Sequence, residues 1–239
     1  MSDRHNLPRL ERSKYQNFAV VFWTHTLEPR ATGWLDDPFH REFRETLVHA
    51  GAKYHLFCPV YCLMPDHFHV VWMGLRLASD QLNATRFLRK QVNRMLAGEE
   101  LVNRTNLPKH FRSPACGDGA ISSVTGKLAG DGKMASASQP WLRPPAPRPI
   151  AVQHQPHDHV LREEERKRGV FARTCFYTLN NPVRAKLVDG AWEWPFSGAV
   201  LPGYPSVWPF DEDYWPLFWR LYEKEREAAP TEPSQGENS

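Results

Sequence analysis

The stretch Val60-Tyr61-Cys62-Leu63-Met64-Pro65-Asp66-His67-Phe68-His69-Val70-Val71-Trp72-Met73 decides how the rest of the chain is read. Two short apolar runs flank Pro65-Asp66, a pair that favours a turn, so the stretch predicts a hairpin. Side chains alternate along a strand, which points His67 and His69 one way and Phe68 the other. Two imidazoles on one face can hold a divalent ion between them. For a bare His-x-His the competing reading is a pair of core or hairpin histidines satisfied by hydrogen bonds. Beyond the histidines both faces stay apolar, with Phe68, Val70 and Trp72 on one and Val71 and Met73 on the other. That pattern predicts a strand in the middle of a sheet.

Upstream, residues 17–26 (NFAVVFWTHT) are rich in Val, Phe and Trp and read as a buried strand. Asp36-Asp37-Pro38 is a helix-start signal, Phe39, Phe43 and Leu47 form an apolar stripe behind it, and Gly51 reads as the stop. The hairpin strands follow at about 54–64 and 67–75. A second helix spans about 80–97, with Leu82, Leu88, Val92 and Met95 on one side. The order strand, helix, strand, strand, helix predicts an α+β fold, a ferredoxin-like antiparallel sheet with helices on one face. The second helix also carries Arg86, Lys90 and Arg94 four apart, with Arg89 beside them. Such a row is either a solvated face or a phosphate-contacting one.

A chain of 239 residues can bury one core, and its net charge of +3 leaves any basic surface to local clustering. Residues 1–16 read as a polar N-terminal segment, 17–225 as one domain, and 226–239 as a disordered tail. Within the domain, about 113–155 reads as a loop or disordered insertion. Glycines punctuate its first part, and a proline-rich run (PWLRPPAPRP) closes it. No apolar run follows the opening Met-Ser-Asp-Arg-His and nothing approaches a membrane span, so a cytoplasmic location is expected. Cys58, Cys62, Cys116 and Cys175 lack framework or zinc spacing, and reduced core thiols are the better fit.

Regular structure resumes at His157-Asp158-His159-Val160-Leu161-Arg162, followed by a charged helix over 163–179. Its apolar positions 171, 172, 175, 176 and 179 predict a buried face, and Tyr177 points elsewhere among Arg173, Thr174, Asn180 and Asn181. A tyrosine so placed is available for chemistry, although an ordinary amphipathic tyrosine looks the same. Asn181-Pro182 then predicts the cap and first position of another short helix. The aromatic clusters between Trp192 and Glu225 are expected to pack over the domain.

Three patches together resemble the IS200-like single-tyrosine (HUH) transposases, most closely their REP-associated branch. They are Met64-Pro65-Asp66-His67-Phe68-His69, His157-Asp158-His159-Val160-Leu161-Arg162, and Tyr177-Thr178-Leu179-Asn180-Asn181-Pro182-Val183-Arg184-Ala185-Lys186-Leu187-Val188. The resemblance implies Tyr177 as nucleophile, His67 and His69 as ligands of Mg²⁺ or Mn²⁺, and Asn181 as a further ligand. It implies nicking and strand transfer on single-stranded or hairpin DNA through a covalent 5′-phosphotyrosine intermediate. Arg86, Arg89, Lys90, Arg94 and Arg184 are then expected to contact the DNA. Relatives act as dimers or monomers, so a homodimer is one expectation. Position 66 is Asp where the family usually has Asn, either a neutral turn substitution or an added ligand. Two other readings stay open: a DNA-binding regulator that has lost cleavage, and a metal-dependent nuclease using water instead of Tyr177. A phenol titrates near ~10 in water, so attack at neutral pH calls for help, and Arg173 is a candidate helper.

Overall fold

A computed structural model describes residues 9–98, 150–204 and 207–228. The expected N-terminal segment before residue 9, the insertion over 113–149, Cys116, and the tail after residue 228 lie outside the described residues.

The first five elements follow the sequence reading: β1 (Val20–Glu28), α1 (Asp37–Tyr54), β2 (Leu56–Met64), β3 (His67–Gly74) and α2 (Gln81–Leu96). Asp36 caps α1 by accepting from the Phe39 amide at 2.8 Å, and Asp80 caps α2 by accepting from the Asn83 amide at 2.9 Å. Gly51 does not stop α1. The helix runs on to Tyr54 and closes at His55, whose φ of 56° is left-handed. Gly51 is there for space, since a Cβ would lie 2.6 Å from Pro202 Cγ and 2.7 Å from the Leu56 carbonyl oxygen.

After α2 the described chain resumes with β4 (Ala151–Val152) and β5 (His157–Leu161), then α3 (Glu163–Lys167), α4 (Val170–Leu179), α5 (Asn181–Arg184), β6 (Ser197–Val200) and α6 (Tyr214–Glu227). The end of the supposed insertion is thus a strand. β4 pairs with Leu27 and Glu28, and Val152 is buried with its amide donating to Asn93 Oδ1 at 2.7 Å. Residues 9–16 are likewise docked. Tyr15 is fully buried, its hydroxyl donates to Asp158 at 2.5 Å, and Arg12 pairs with Asp80. The single helix expected over 163–179 breaks at Gly169, whose φ of 73° suits glycine.

The sheet runs β4-β1-β3-β2-β6, with β5 beside β4 on the same edge of β1, and β3 is central as expected. Its fold is α+β with an antiparallel ferredoxin-like arrangement. α1 and α2 cover one face, packing Phe43, Leu47, Leu88 and Val92 against Trp23, Phe68, Val70 and Trp72. On the other face α4, which bears Tyr177, and α6 pack Phe171, Cys175, Leu179, Phe218 and Tyr222 against Val20, Phe57, Val71 and Met73. The Tyr222 hydroxyl donates to the Gly74 carbonyl at 3.0 Å, and that of Tyr214 donates to the Pro59 carbonyl. Cover on both faces explains why every residue of β2 is buried. Cys58, Cys62 and Cys175 are unpaired, buried thiols. No helix among the described residues is long and apolar enough to cross a membrane.

Candidate functional site

The turn between β2 and β3 is pinned from outside. The Pro65 carbonyl accepts from the Trp34 indole at 2.7 Å, and the Asp66 carbonyl accepts from the Leu27 amide at 3.0 Å. With the turn held, strand alternation places His67 and His69 on the face that carries α4. Register sets their neighbours, Thr26 opposite His67 and Thr24 opposite His69. The two rings approach with Nε2 to Nε2 at 3.1 Å. His67 Nδ1 lies 2.6 Å from Asp66 Oδ1, and His69 Nδ1 lies 3.0 Å from Thr24 Oγ1. Both outer nitrogens are therefore occupied by protein groups, and both Nε2 atoms face a common point.

His69 is 4 % exposed. Burial, with His67 beside it, pushes its pKa down to about 3 and keeps the ring neutral, the form that binds metal. Asp66 is held down to about 2, first by its hydrogen bond with His67 and then by Arg30, whose Nη1 lies 2.9 Å from Oδ2. Asp66 therefore bonds to the back of His67, on the Nδ1 side, away from the nitrogen that meets His69.

α4 brings Tyr177 over the pair. Its ring centre is 6.1 Å from that of His69 and 6.0 Å from that of Phe22, which stacks on His69 at 5.1 Å. Tyr177 is 40 % exposed, so the phenol is reachable. The cation over its ring is that of Arg184, with Cζ 4.4 Å from the centre, and not that of Arg173. Asn181 is the first residue of α5, and the N-cap position belongs to Asn180. The Asn181 carboxamide donates from Nδ2 to the Tyr177 carbonyl at 3.2 Å, which ties it to the turn of helix carrying the tyrosine and leaves Oδ1 as its acceptor end.

The sequence-derived candidates thus separate into two groups. His67, His69, Tyr177, Asn181 and Arg184 gather on one face of the sheet. Arg86, Arg89, Lys90 and Arg94 line a groove of about 490 Å³ on α2, across the sheet from that gathering. Among the described residues no three His, Cys, Asp or Glu side chains converge as a metal-binding group, so the two imidazoles by themselves would leave most positions around an ion to other donors.

Sequence reading missed Thr24 and Phe22, because only strand register makes them neighbours of His69. It also placed Ala172 and Phe176 on the buried face of α4, whereas Thr178 is buried and Phe176 is 69 % exposed. Phe176, Trp192 and Trp219 border an apolar groove of about 650 Å³ on the neighbouring flank of α4.

No protein-family model and no curated protein matches the chain. A solved structure that it does match is that of a REP-associated tyrosine transposase bound to a REP hairpin. The two are 17% identical with a TM-score of 0.49, and the match covers 82% of each chain. At that distance it is the residues of this chain that have to carry a functional reading.

Proposed function

We propose that the chain nicks and rejoins single-stranded, hairpin-containing DNA by phosphodiester exchange through Tyr177. The observation that carries this is a reachable phenol ring 6.1 Å from one of two imidazoles whose Nε2 atoms converge. His67, His69 and the Asn181 Oδ1 suit a divalent ion, Mg²⁺ or Mn²⁺, because the outer ring nitrogens are bonded to protein groups, while the inner Nε2 atoms bond to each other at 3.1 Å and can exchange that bond for an ion. Such an ion, when bound, supplies a Lewis acid for the non-bridging oxygens of the scissile phosphate.

The protein groups do the rest. Tyr177 Oη attacks phosphorus, the bond to the 3′ oxygen breaks, and that oxygen takes up a proton as the phenol gives one to solvent. Arg184, with Cζ 4.4 Å from the ring centre, offers a guanidinium to the phosphate that Tyr177 attacks. One phosphodiester replaces another, so the 5′-phosphotyrosine link can be resealed by a 3′-hydroxyl without an energy source. Phe176, Trp192 and Trp219 offer exposed aromatic faces to unpaired bases, and the α2 groove offers four cations to the backbone.

The test is incubation with an end-labelled hairpin oligonucleotide and Mn²⁺, resolved on a denaturing gel. A covalent protein–DNA band that disappears with Tyr177→Phe is expected. Cleavage that survives Tyr177→Phe without a band would instead mark a water-using nuclease. Tight, salt-sensitive binding with no cleavage would mark a DNA-binding regulator.

A further inference from the structure

We infer that Thr24 and Asp66 are positioning residues that hold both imidazoles with their Nε2 atoms on one point, and that the Thr24 hydroxyl reverses its hydrogen bond when an ion enters. The inference rests on the proposed ion site and concerns the groups behind it.

The direction of each hydrogen bond follows from one fixed end. An ionised Asp66 only accepts, so His67 Nδ1, 2.6 Å from Oδ1, carries the hydrogen. In the neutral ring His67 Nε2 is then a bare lone pair. His69 Nε2, 3.1 Å away, meets it as a donor. That makes His69 Nδ1 an acceptor, and Thr24 Oγ1 at 3.0 Å donates to it. The chain of bonds from Asp66 to Thr24 is complete, with one hydrogen in each bond.

An ion needs a lone pair from each ring. His67 already presents one. His69 must move its proton from Nε2 to Nδ1, through water, and a partner at Nδ1 must then accept. A hydroxyl can do so because donor and acceptor share one rotor. The proton stays on the ring, and none is gained or lost. Asp66 has no such freedom. Arg30 Nη1 holds its Oδ2 at 2.9 Å, and the backbone is fixed by the Leu27 amide at 3.0 Å. One histidine is therefore set permanently for binding, and the other is switched by its threonine.

Two measurements on the metal-free, DNA-free protein test this. Imidazole ¹⁵N NMR should find the His67 proton on Nδ1 and the His69 proton on Nε2, with the latter moving to Nδ1 on addition of Zn²⁺ as a diamagnetic probe. Mn²⁺ titration followed by EPR should show affinity falling roughly ten- to a hundredfold in Asp66→Ala and about tenfold in Thr24→Val. Thr24→Ser, which keeps the hydroxyl, should stay within about twofold of the parent, and Asp66→Asn, which keeps the acceptor without the charge, should fall between. A His69 proton already on Nδ1 without metal, or unchanged Mn²⁺ affinity in both Thr24→Val and Asp66→Ala, overturns the inference. Neither readout involves cleavage. A protein that passes both yet forms no tyrosine adduct loses the enzyme reading and keeps this one.

Discussion

His25 lies one residue from Thr24 and faces the opposite way, into carbon. It is fully buried, stacked on Phe68 at 4.6 Å and 8°, and neither ring nitrogen has a hydrogen-bond partner among the described residues. Burial drives its pKa down to about 3, and burial with Arg44 nearby drives that of His40 down to about 4. Both are therefore neutral in the folded chain near pH 5, where the unfolded chain is protonated. The unfolded state binds more protons in that window, so stability is complete above about pH 6.5 and lost as pH falls. Urea unfolding between pH 7 and pH 4 should show a loss approaching ~1.4 kcal/mol per pH unit for each histidine. His69, also held down to about 3, adds to the same slope, so His25→Phe, which keeps the stack and removes the two orphaned nitrogens, should cut it by about a third. An unchanged slope in the variant would contradict the assignment. Arg184 belongs to the same scale. Arg184→Ala removes the cation over Tyr177, worth about 1 kcal/mol, and should slow adduct formation roughly five- to tenfold at saturating DNA.

At the scale of elements, close approach decides two glycines. A Cβ on Gly74 would lie 1.7 Å from the Asn17 carbonyl oxygen, which belongs to backbone and cannot swing aside. Gly74→Ala should therefore destabilise the protein by about 3 kcal/mol, read as a lower urea midpoint, with Gly51→Ala costing about 1–3 kcal/mol beside Pro202 and Leu56. Such close approaches mark what a one-dimensional reading misses. Long, strongly patterned elements were legible: the acidic caps and apolar stripes pointed to α1 and α2, and the hairpin around Pro65-Asp66 pointed to β2 and β3. β4, β5 and β6 have two, five and four residues, too short for alternation to stand out. Gly169 was visible, but its left-handed φ was not, so α3 and α4 read as one helix. In the candidate site the chemistry-bearing residues could be named from motif spacing. The residues that orient them could not, since Thr24 and His69 are 45 positions apart and meet only through register.

At the scale of the whole molecule, the sheet separates two surfaces whose residues the sequence alone leaves grouped as one DNA-contacting set. α2 holds Arg86, Arg89, Lys90 and Arg94 and no acidic residue between Gln81 and Leu96, so its own sequence supplies no i, i+4 carboxylate to offset them. Like charges at that spacing disfavour the helix slightly, and a polyanion relieves the repulsion. Tyr177 and the histidine pair sit across the sheet, on the side of the other hydrophobic cluster. If the α2 groove grips backbone phosphates, its removal should weaken DNA binding without touching the chemical step. Replacing all four cations by Ala should reduce the slope of log affinity against log salt by as much as ~1 for every phosphate that the groove no longer neutralises. The single-turnover rate of adduct formation, measured with DNA in saturating excess, should stay within about twofold of the parent, because none of the four lies on the Tyr177 face. A parent-like salt slope would make the row a solvated helix face. A large drop in the saturated rate would mean that DNA held on one side of the sheet sets the geometry on the other, and the two surfaces would have to be treated as one site.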